Sequence, residues 1–366
     1  MHVRWLQLSA FRNFASLSFE PDAGLNVLIG ANGQGKTSLL EAVYLLLAGR
    51  SFRTTRLPEC VAWDAPAATV AGEVEQGTQR REIRLTLAAR GGVETAGGPC
   101  PWARVVRFTA TDLALLNGAP AVRRAYLDGA GAKLTPAHAE ACHRYRLVLH
   151  QRNGLLGRLA GRGDADALLA PWDEQIAALG SEIVHRRLAT VETLSRDGRD
   201  VWEAMAPAGA ELGLAYAPAI APGADAAATR ERLLAALASG RRQELQRSAT
   251  LAGPHRDDLM IRIGRADARA YASRGEQRLL ALALRLAEAA AVRRRAGTPP
   301  VLLLDDVLSD LDRRARERVL AWLADQGQVN FSTTDAVPTA GPPAAAWQVR
   351  HGEVDALDTV AVGGAA

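Results

Sequence analysis

Gly30-Ala31-Asn32-Gly33-Gln34-Gly35-Lys36-Thr37 fits the pattern G-x-x-x-x-G-K-[ST] and has the flanks that pattern requires. The apolar run Leu25 to Ile29 leads in and the helical run Ser38 to Ala48 leads out. Glycines in such a loop let backbone N–H groups turn inward around phosphate oxygens. The helix that starts near Lys36 points its positive dipole end at the same place. The stretch from Gly30 to Ser38 is therefore a candidate triphosphate cradle. Lys36 would reach the β- and γ-phosphates and the Thr37 hydroxyl would ligate Mg²⁺. The bland alternative is a glycine turn that binds nothing, and the strand before and helix after it speak against that.

The chain's 366 residues are too many for one ordinary core and enough for two domains. Hydrophobic content of 48% with 23% charged residues describes a soluble globular protein. No apolar run approaches the length of a membrane span. Strand-like alternation starts at Met1, so no signal peptide is expected. The three cysteines, Cys60, Cys100 and Cys142, are scattered and odd in number. That argues against a disulfide framework or a zinc site and suits a reducing cytoplasm. Net charge is +4, and lysine occurs only at positions 36 and 133. The mild positive balance is compatible with a nucleic-acid partner and does not by itself point to one.

Two strands are expected before the P-loop, the first with an imperfect alternation in which the phase shifts between Trp5 and Leu6. Segments 68–76, 80–89 and 103–108 read as an antiparallel β-subdomain. From about Asp112 to Gln246 apolar residues recur at helical spacing, among them Leu147, Val148, Ile176, Leu179 and Ile183. Pro/Gly/Ala loops are expected near 161–164, 207–209 and 217–225, with one short strand at 211–216. Arg123-Arg124, Arg144, Arg146, Arg152, Arg186-Arg187 and Arg241-Arg242 read as charged helix faces in this region, with ordinary solvated faces as the alternative. A strand at Leu259–Ile263 marks the return of the ATPase pattern, and Ser273-Arg274-Gly275-Glu276-Gln277 opens a long Ala/Leu helix. The tail from Ala336 has little periodicity and is expected to be peripheral. The resulting division is 1–115 for the first part of an ATPase lobe, 116–248 for a mainly helical insertion and 249–366 for the remainder of the ATPase.

Val301-Leu302-Leu303-Leu304-Asp305-Asp306 is a buried strand ending in two carboxylates, the form of a Walker B motif. Asp305 would orient Mg²⁺ and Asp306 would polarise the attacking water. These acids come about 270 residues after Lys36 and just beyond the helix that Ser273 opens. A distant Walker B preceded by a Ser-Gly helix start resembles ABC-type ATPases, and within them the SMC-like DNA-repair branch. That resemblance implies an α/β ABC-type head with an antiparallel β-subdomain, an inserted helical lobe and no long coiled coil.

The pattern is most similar to the RecF family of bacterial recombination mediators. Phe11-Arg12-Asn13-Phe14, the P-loop and Gly49-Arg50-Ser51-Phe52-Arg53 carry the likeness in the first third. Gly118-Ala119-Pro120, Arg123-Arg124-Ala125-Tyr126-Leu127-Asp128, Tyr145 and Gln151-Arg152-Asn153 extend it through the middle. Gly253-Pro254-His255-Arg256-Asp257-Asp258, Ser273 to Arg278, Asp305-Asp306 and Thr333-Thr334-Asp335 complete it. The resemblance implies an ATP- and Mg²⁺-dependent homodimer on double-stranded or gapped DNA, working with RecR, RecO and RecA, with weak DNA-dependent ATP hydrolysis. It implies that Ser273, Arg274, Gly275 and Glu276 contact the nucleotide of a partner subunit, and that Ser309, Asp310 and Asp312 form the D-loop. Thr334 would take the place of a switch histidine. Arg12 and Asn13 precede the P-loop where related ATPases touch nucleotide. Arg53, Arg56, Arg293, Arg294 and Arg295 are candidates for DNA phosphates, and His255 is either a turn histidine or a functional one. Two other readings compete, a transporter's ATPase subunit and the ATPase of an SMC-like nuclease complex. Arg274 and Thr334 disfavour the first, and the missing coiled coil disfavours the second.

Overall fold

The computed structural model describes residues 1–97, 100–159, 164–206, 211–334 and 343–361. Asp335 and most of the loops expected near 161–164 and 207–209 lie outside the described residues. The chain divides into two compact units. The first comprises Met1–Leu113, Asp200–Gly209 and Ser273–Ala366; the second comprises Ala114–Arg199 and Ala210–Ala272.

The first unit holds two sheets. In one, six described strands run in the order Glu353–Ala361, Pro343–Arg350, Leu25–Ile29, Val329–Thr333, Val301–Leu304, Val105–Phe108. All neighbours are parallel except the first pair. Val301–Leu304 and Val329–Thr333 are buried at every position, as expected of strands covered on both faces. The other sheet is antiparallel, in the order Phe14–Phe19, His2–Phe11, Ala67–Gln76, Gln79–Ala88, Val93–Ala96. The helix Lys36–Ala48 follows the P-loop strand, and its apolar residues are buried nearly all round. Leu39, Leu40, Val43 and Leu46 share one core with Leu6, Val70 and Leu85 of the antiparallel sheet and with Val301 and Leu303 of the parallel one. A helix apolar on every side has to be enclosed, and this core encloses it.

The imperfect alternation in the first strand has a physical cause. The pairing register shifts between Val3 and Trp5, a bulge that turns Val3, Leu6 and Leu8 all inward.

Three sequence expectations are corrected in this unit and its neighbour. Segment 103–108 does not extend the antiparallel sheet. Its strand Val105–Phe108 pairs in parallel with Val301–Leu304, and four apolar-rich residues carry no period that tells the two cases apart. The tail is not peripheral: Pro343–Arg350 pairs in parallel with the P-loop strand, and turns back through His351 and Gly352, both at positive φ, into Glu353–Ala361. The expected boundaries at 116, 248 and 249 also move. Asp258–Ile263 pairs antiparallel with Leu212–Ala217, which carries the second unit on to Ala272, and Asp200–Gly209 joins the first.

The second unit contains the helices Pro120–Leu134, Pro136–Leu156 and Ala226–Arg247 and most of the 41-residue helix Ala165–Met205. Tyr145, Val148, Ile176, Leu179, Ile183 and Leu237 form one of its cores, whereas Leu147 is exposed. No described helix is long and apolar enough to cross a membrane.

Candidate nucleotide site

Residues Gly30 to Thr37 join the strand Leu25–Ile29 to the helix Lys36–Ala48 in the first unit. Gly35 sits at φ 117°, and a Cβ there would lie 2.5 Å from Asn13 Nδ2. A Cβ on Gly30 would lie 2.3 Å from the Val349 carbonyl oxygen. Both positions therefore exclude any side chain. Asn13 Nδ2 donates to Gln34 O at 3.0 Å, and Gln34 Oε1 accepts from the His351 backbone N–H at 2.7 Å. The tail hairpin thus holds one side of the loop and Asn13 the other.

Lys36 is buried, and its ammonium donates to Gly30 O at 2.5 Å and Ala31 O at 2.8 Å. Desolvation lowers its pKa, opposed by the negative charges of Asp305 and Asp306. The Thr37 hydroxyl lies within 3.0 and 2.8 Å of the two Asp305 oxygens. Ser332, at the end of the intervening strand, donates to Asp305 Oδ1 at 2.7 Å and accepts from the Asp306 N–H at 2.8 Å. Asp306 adopts φ 52°, and its carboxylate accepts from Ser309 Oγ at 2.6 Å and from Arg278 at 3.3 Å. Arg278 also reaches Asp310 at 3.3 Å. Asp312 caps the helix Arg313–Leu323 by accepting from the Ala315 N–H.

Arg12, at φ 55°, places its fork on the fully buried Glu41 at 2.9 and 2.7 Å and donates to Glu59 O at 2.7 Å. Ser51 Oγ donates to the same carboxylate, and Arg53 approaches it at 3.3 Å. Arg12, Asn13, Asn32, Gly33, Gly35, Lys36, Thr37, Ser38, Arg53, Asp305, Asp306 and Thr334 all line one cleft of about 820 Å³. Arg53, expected to meet DNA, therefore faces this cleft. Arg56 and the trio Arg293, Arg294 and Arg295 are exposed at the surface.

Ser273 begins the helix Arg274–Ala296. Its hydroxyl accepts from the Glu276 N–H, and the Glu276 carboxylate accepts from the Ser273 N–H at 2.8 Å. This reciprocal cap also lowers the Glu276 pKa through hydrogen bonds from Ser273. Ser273, Arg274 and Glu276 are exposed, and none of Ser273 to Glu276 lines the cleft.

The second unit's expected basic faces divide: Arg144, Arg146 and Arg242 are exposed, whereas Arg123, Arg152 and Arg187 are buried. Arg123 forks onto Asp258, Arg187 onto Asp128, and the fully buried Arg152 meets Asp173, Glu244 and Thr250. His255 accepts or donates at Nδ1 with the Tyr145 hydroxyl (2.8 Å) and at Nε2 with Thr250 O (3.0 Å). Burial pushes its pKa down to about 4, which keeps the ring neutral at pH 7.

Sequence reasoning missed Glu41, Ser332, Arg278 and Trp63. Glu41 had a signal, since an acid inside Leu39-Leu40-Glu41-Ala42-Val43 must be buried and paired. Ser332 and Arg278 had none stronger than their places beside motifs, and Trp63 had none.

A family model described as AAA domain matches residues 6–112. The DNA replication and repair protein RecF of Heliobacterium modesticaldum is 35% identical over 353 residues, covering 93% of this chain and 94% of its own. A solved structure of the recombination mediator protein RecF with ATP, from the RecFOR pathway, is 28% identical at a TM-score of 0.86, with 97% of each chain covered. An Smc head bound to the C-winged helix domain of ScpA matches at a TM-score of 0.55 and 16% identity, a likeness of fold alone.

Proposed function

The chain belongs to the RecF family of DNA replication and repair proteins, and from that premise we propose that it is an ATP-gated DNA clamp. Lys36 and the P-loop amides bind the triphosphate, with Asn13 bracing the loop and Arg12 lining the cleft from its pairing with Glu41. Thr37 and Asp305 fit Mg²⁺, because two hard oxygen-bearing side chains already meet within 3.0 Å beside the P-loop. The ion supplies neutralisation of phosphate charge. Asp306 orients the attacking water. Its carboxylate is already engaged by Ser309 and Arg278, which supports slow turnover of the resetting kind.

The observation that carries the reading is the division of the site. Lys36, Thr37, Asp305 and Asp306 line the cleft, while the capped helix end at Ser273 is exposed away from it. An exposed helix N-terminus, with its positive dipole end, suits an anion presented by another molecule. A two-fold dimer would put the partner's γ-phosphate there, making ATP the link between subunits. Thr334 then senses the γ-phosphate, and Ser309, Asp310 and Asp312 form the facing D-loop. The dimer embraces double-stranded or gapped DNA in the cytoplasm, with Arg56 and Arg293 to Arg295 offering phosphate contacts. It acts with RecR and RecO to help load RecA.

Sedimentation with ATP, Mg²⁺ and short duplex DNA tests this, comparing wild type with Ser273→Arg. Wild type is expected to become dimeric with ATP, and the variant to bind ATP while staying monomeric. A wild type that stays monomeric in every condition overturns the shared-site mechanism.

A further inference from the structure

Trp63 is 96% exposed, the most exposed large apolar side chain among the described residues. The other tryptophans are at least partly covered: Trp202 is buried, and Trp5, Trp102, Trp172, Trp322 and Trp347 are intermediate. The backbone beneath Trp63 is held firmly. The Arg12 N–H donates to Cys60 O at 2.8 Å, the Ala62 N–H donates to Ala10 O at 2.7 Å, and Val61 bridges Phe11. The Ala65 N–H closes a turn on Ala62 O at 3.2 Å, with Asp64 at φ 64°. A pinned turn therefore holds a bare indole at its tip. That indole lines the same cleft as Lys36, Thr37 and Asp305, together with Val61 and Glu59.

A nucleoside triphosphate with its phosphates on the P-loop must lay its base elsewhere in this cleft. A flat π face offered to solvent is the surface a base needs, because stacking holds any base by its face. None of the phosphate-binding residues supplies such a face. We infer that Trp63 is the platform on which the base of the bound nucleotide stacks, so that the cleft grips a purine through its ring and not through its edge alone. The inference rests on the nucleotide-binding reading of the cleft. The pinned turn explains why the platform needs no partner to hold it in place. Phosphate recognition and base recognition are then carried by separate segments, the P-loop and the turn Ala62–Ala65.

Calorimetric titration with ATP, GTP and inorganic tripolyphosphate tests it on wild type, Trp63→Ala and Trp63→Phe. Trp63→Ala is expected to weaken ATP and GTP between about 5-fold and about 100-fold, with Trp63→Phe recovering most of the loss. Tripolyphosphate, which has no base, should bind all three proteins alike. ATP affinity within about twofold of wild type in Trp63→Ala overturns the platform, even if DNA binding weakens. So does a parallel loss of tripolyphosphate, which would mean that Trp63 shapes the P-loop. If wild type binds tripolyphosphate as tightly as ATP, the base contributes nothing: the platform falls and the phosphate reading stands. If wild type binds neither, both fall.

Discussion

The Thr37 hydroxyl lies 2.8 Å from Asp305 Oδ2 across 268 positions of sequence. The relationship is made by strand order. Val329–Thr333 lies between the P-loop strand and the Asp305 strand in one parallel register, and its Ser332 bonds to Asp305 from below. Two motifs at opposite ends of the chain thus bring their side-chain oxygens together.

Asp305→Asn keeps the shape of this contact and removes its charge. Mg²⁺-dependent ATP hydrolysis is expected to fall by about 100-fold or more, since a metal's charge stabilisation is worth several kcal/mol. Nucleotide binding without Mg²⁺ should change little. Steady-state hydrolysis and metal-free titration measure the two effects separately.

Gly30→Ala places a methyl group 2.3 Å from Val349 O, against backbone that cannot swing aside. It is expected to cost about 1–3 kcal/mol and to loosen the strand Pro343–Arg350. Gly129→Ala, inside a helix and with nothing within 4 Å, should instead stabilise by up to about 1 kcal/mol. Urea unfolding compares the two, and hydrogen exchange in the tail strand reports the loosening.

Arg152→Met leaves Glu244 without its 2.6 Å partner inside the second unit. A loss of about 3 kcal/mol is expected, because among the described residues the buried carboxylate keeps only Arg241 at 3.6 Å and the Leu251 N–H at 2.8 Å. Adding Glu244→Gln should recover part of it, which a double-mutant cycle on thermal unfolding would read.

His255 gives a pH dependence of known sign. Its folded pKa, lowered to about 4 by burial, lies below the unfolded value, so the unfolded chain binds more protons between about pH 6.5 and about pH 4. The stability it contributes is full above that window and is lost as pH falls through it. The stability of His255→Asn is expected to fall less steeply over the same range, measured by denaturant midpoints at stepped pH.

The motifs that carry the chemistry were legible because each is local. A glycine-spaced loop, an apolar run ending in acids and a serine before a helix all act through neighbours in sequence. The bulge near Val3 was visible as broken alternation for the same reason. Arg123, Arg152 and Arg187 were misread as basic faces because their acids, Asp258, Glu244 and Asp128, lie elsewhere in the chain or one or more helices away. Helical spacing shows which side a residue occupies and says nothing of what lies opposite.

By itself the sequence determined the P-loop strand and helix, the Walker B strand, the helix opened by Ser273 and the family they belong to. Only the tertiary structure decided that Val105–Phe108 and the tail strand Pro343–Arg350 join the parallel sheet. It alone placed Trp63 and Ser332 at the cleft and Glu41 beneath Arg12. The reason is physical: local hydrogen bonding and side-chain periodicity make an element, but which edge a strand pairs with depends on backbone groups far away in the chain.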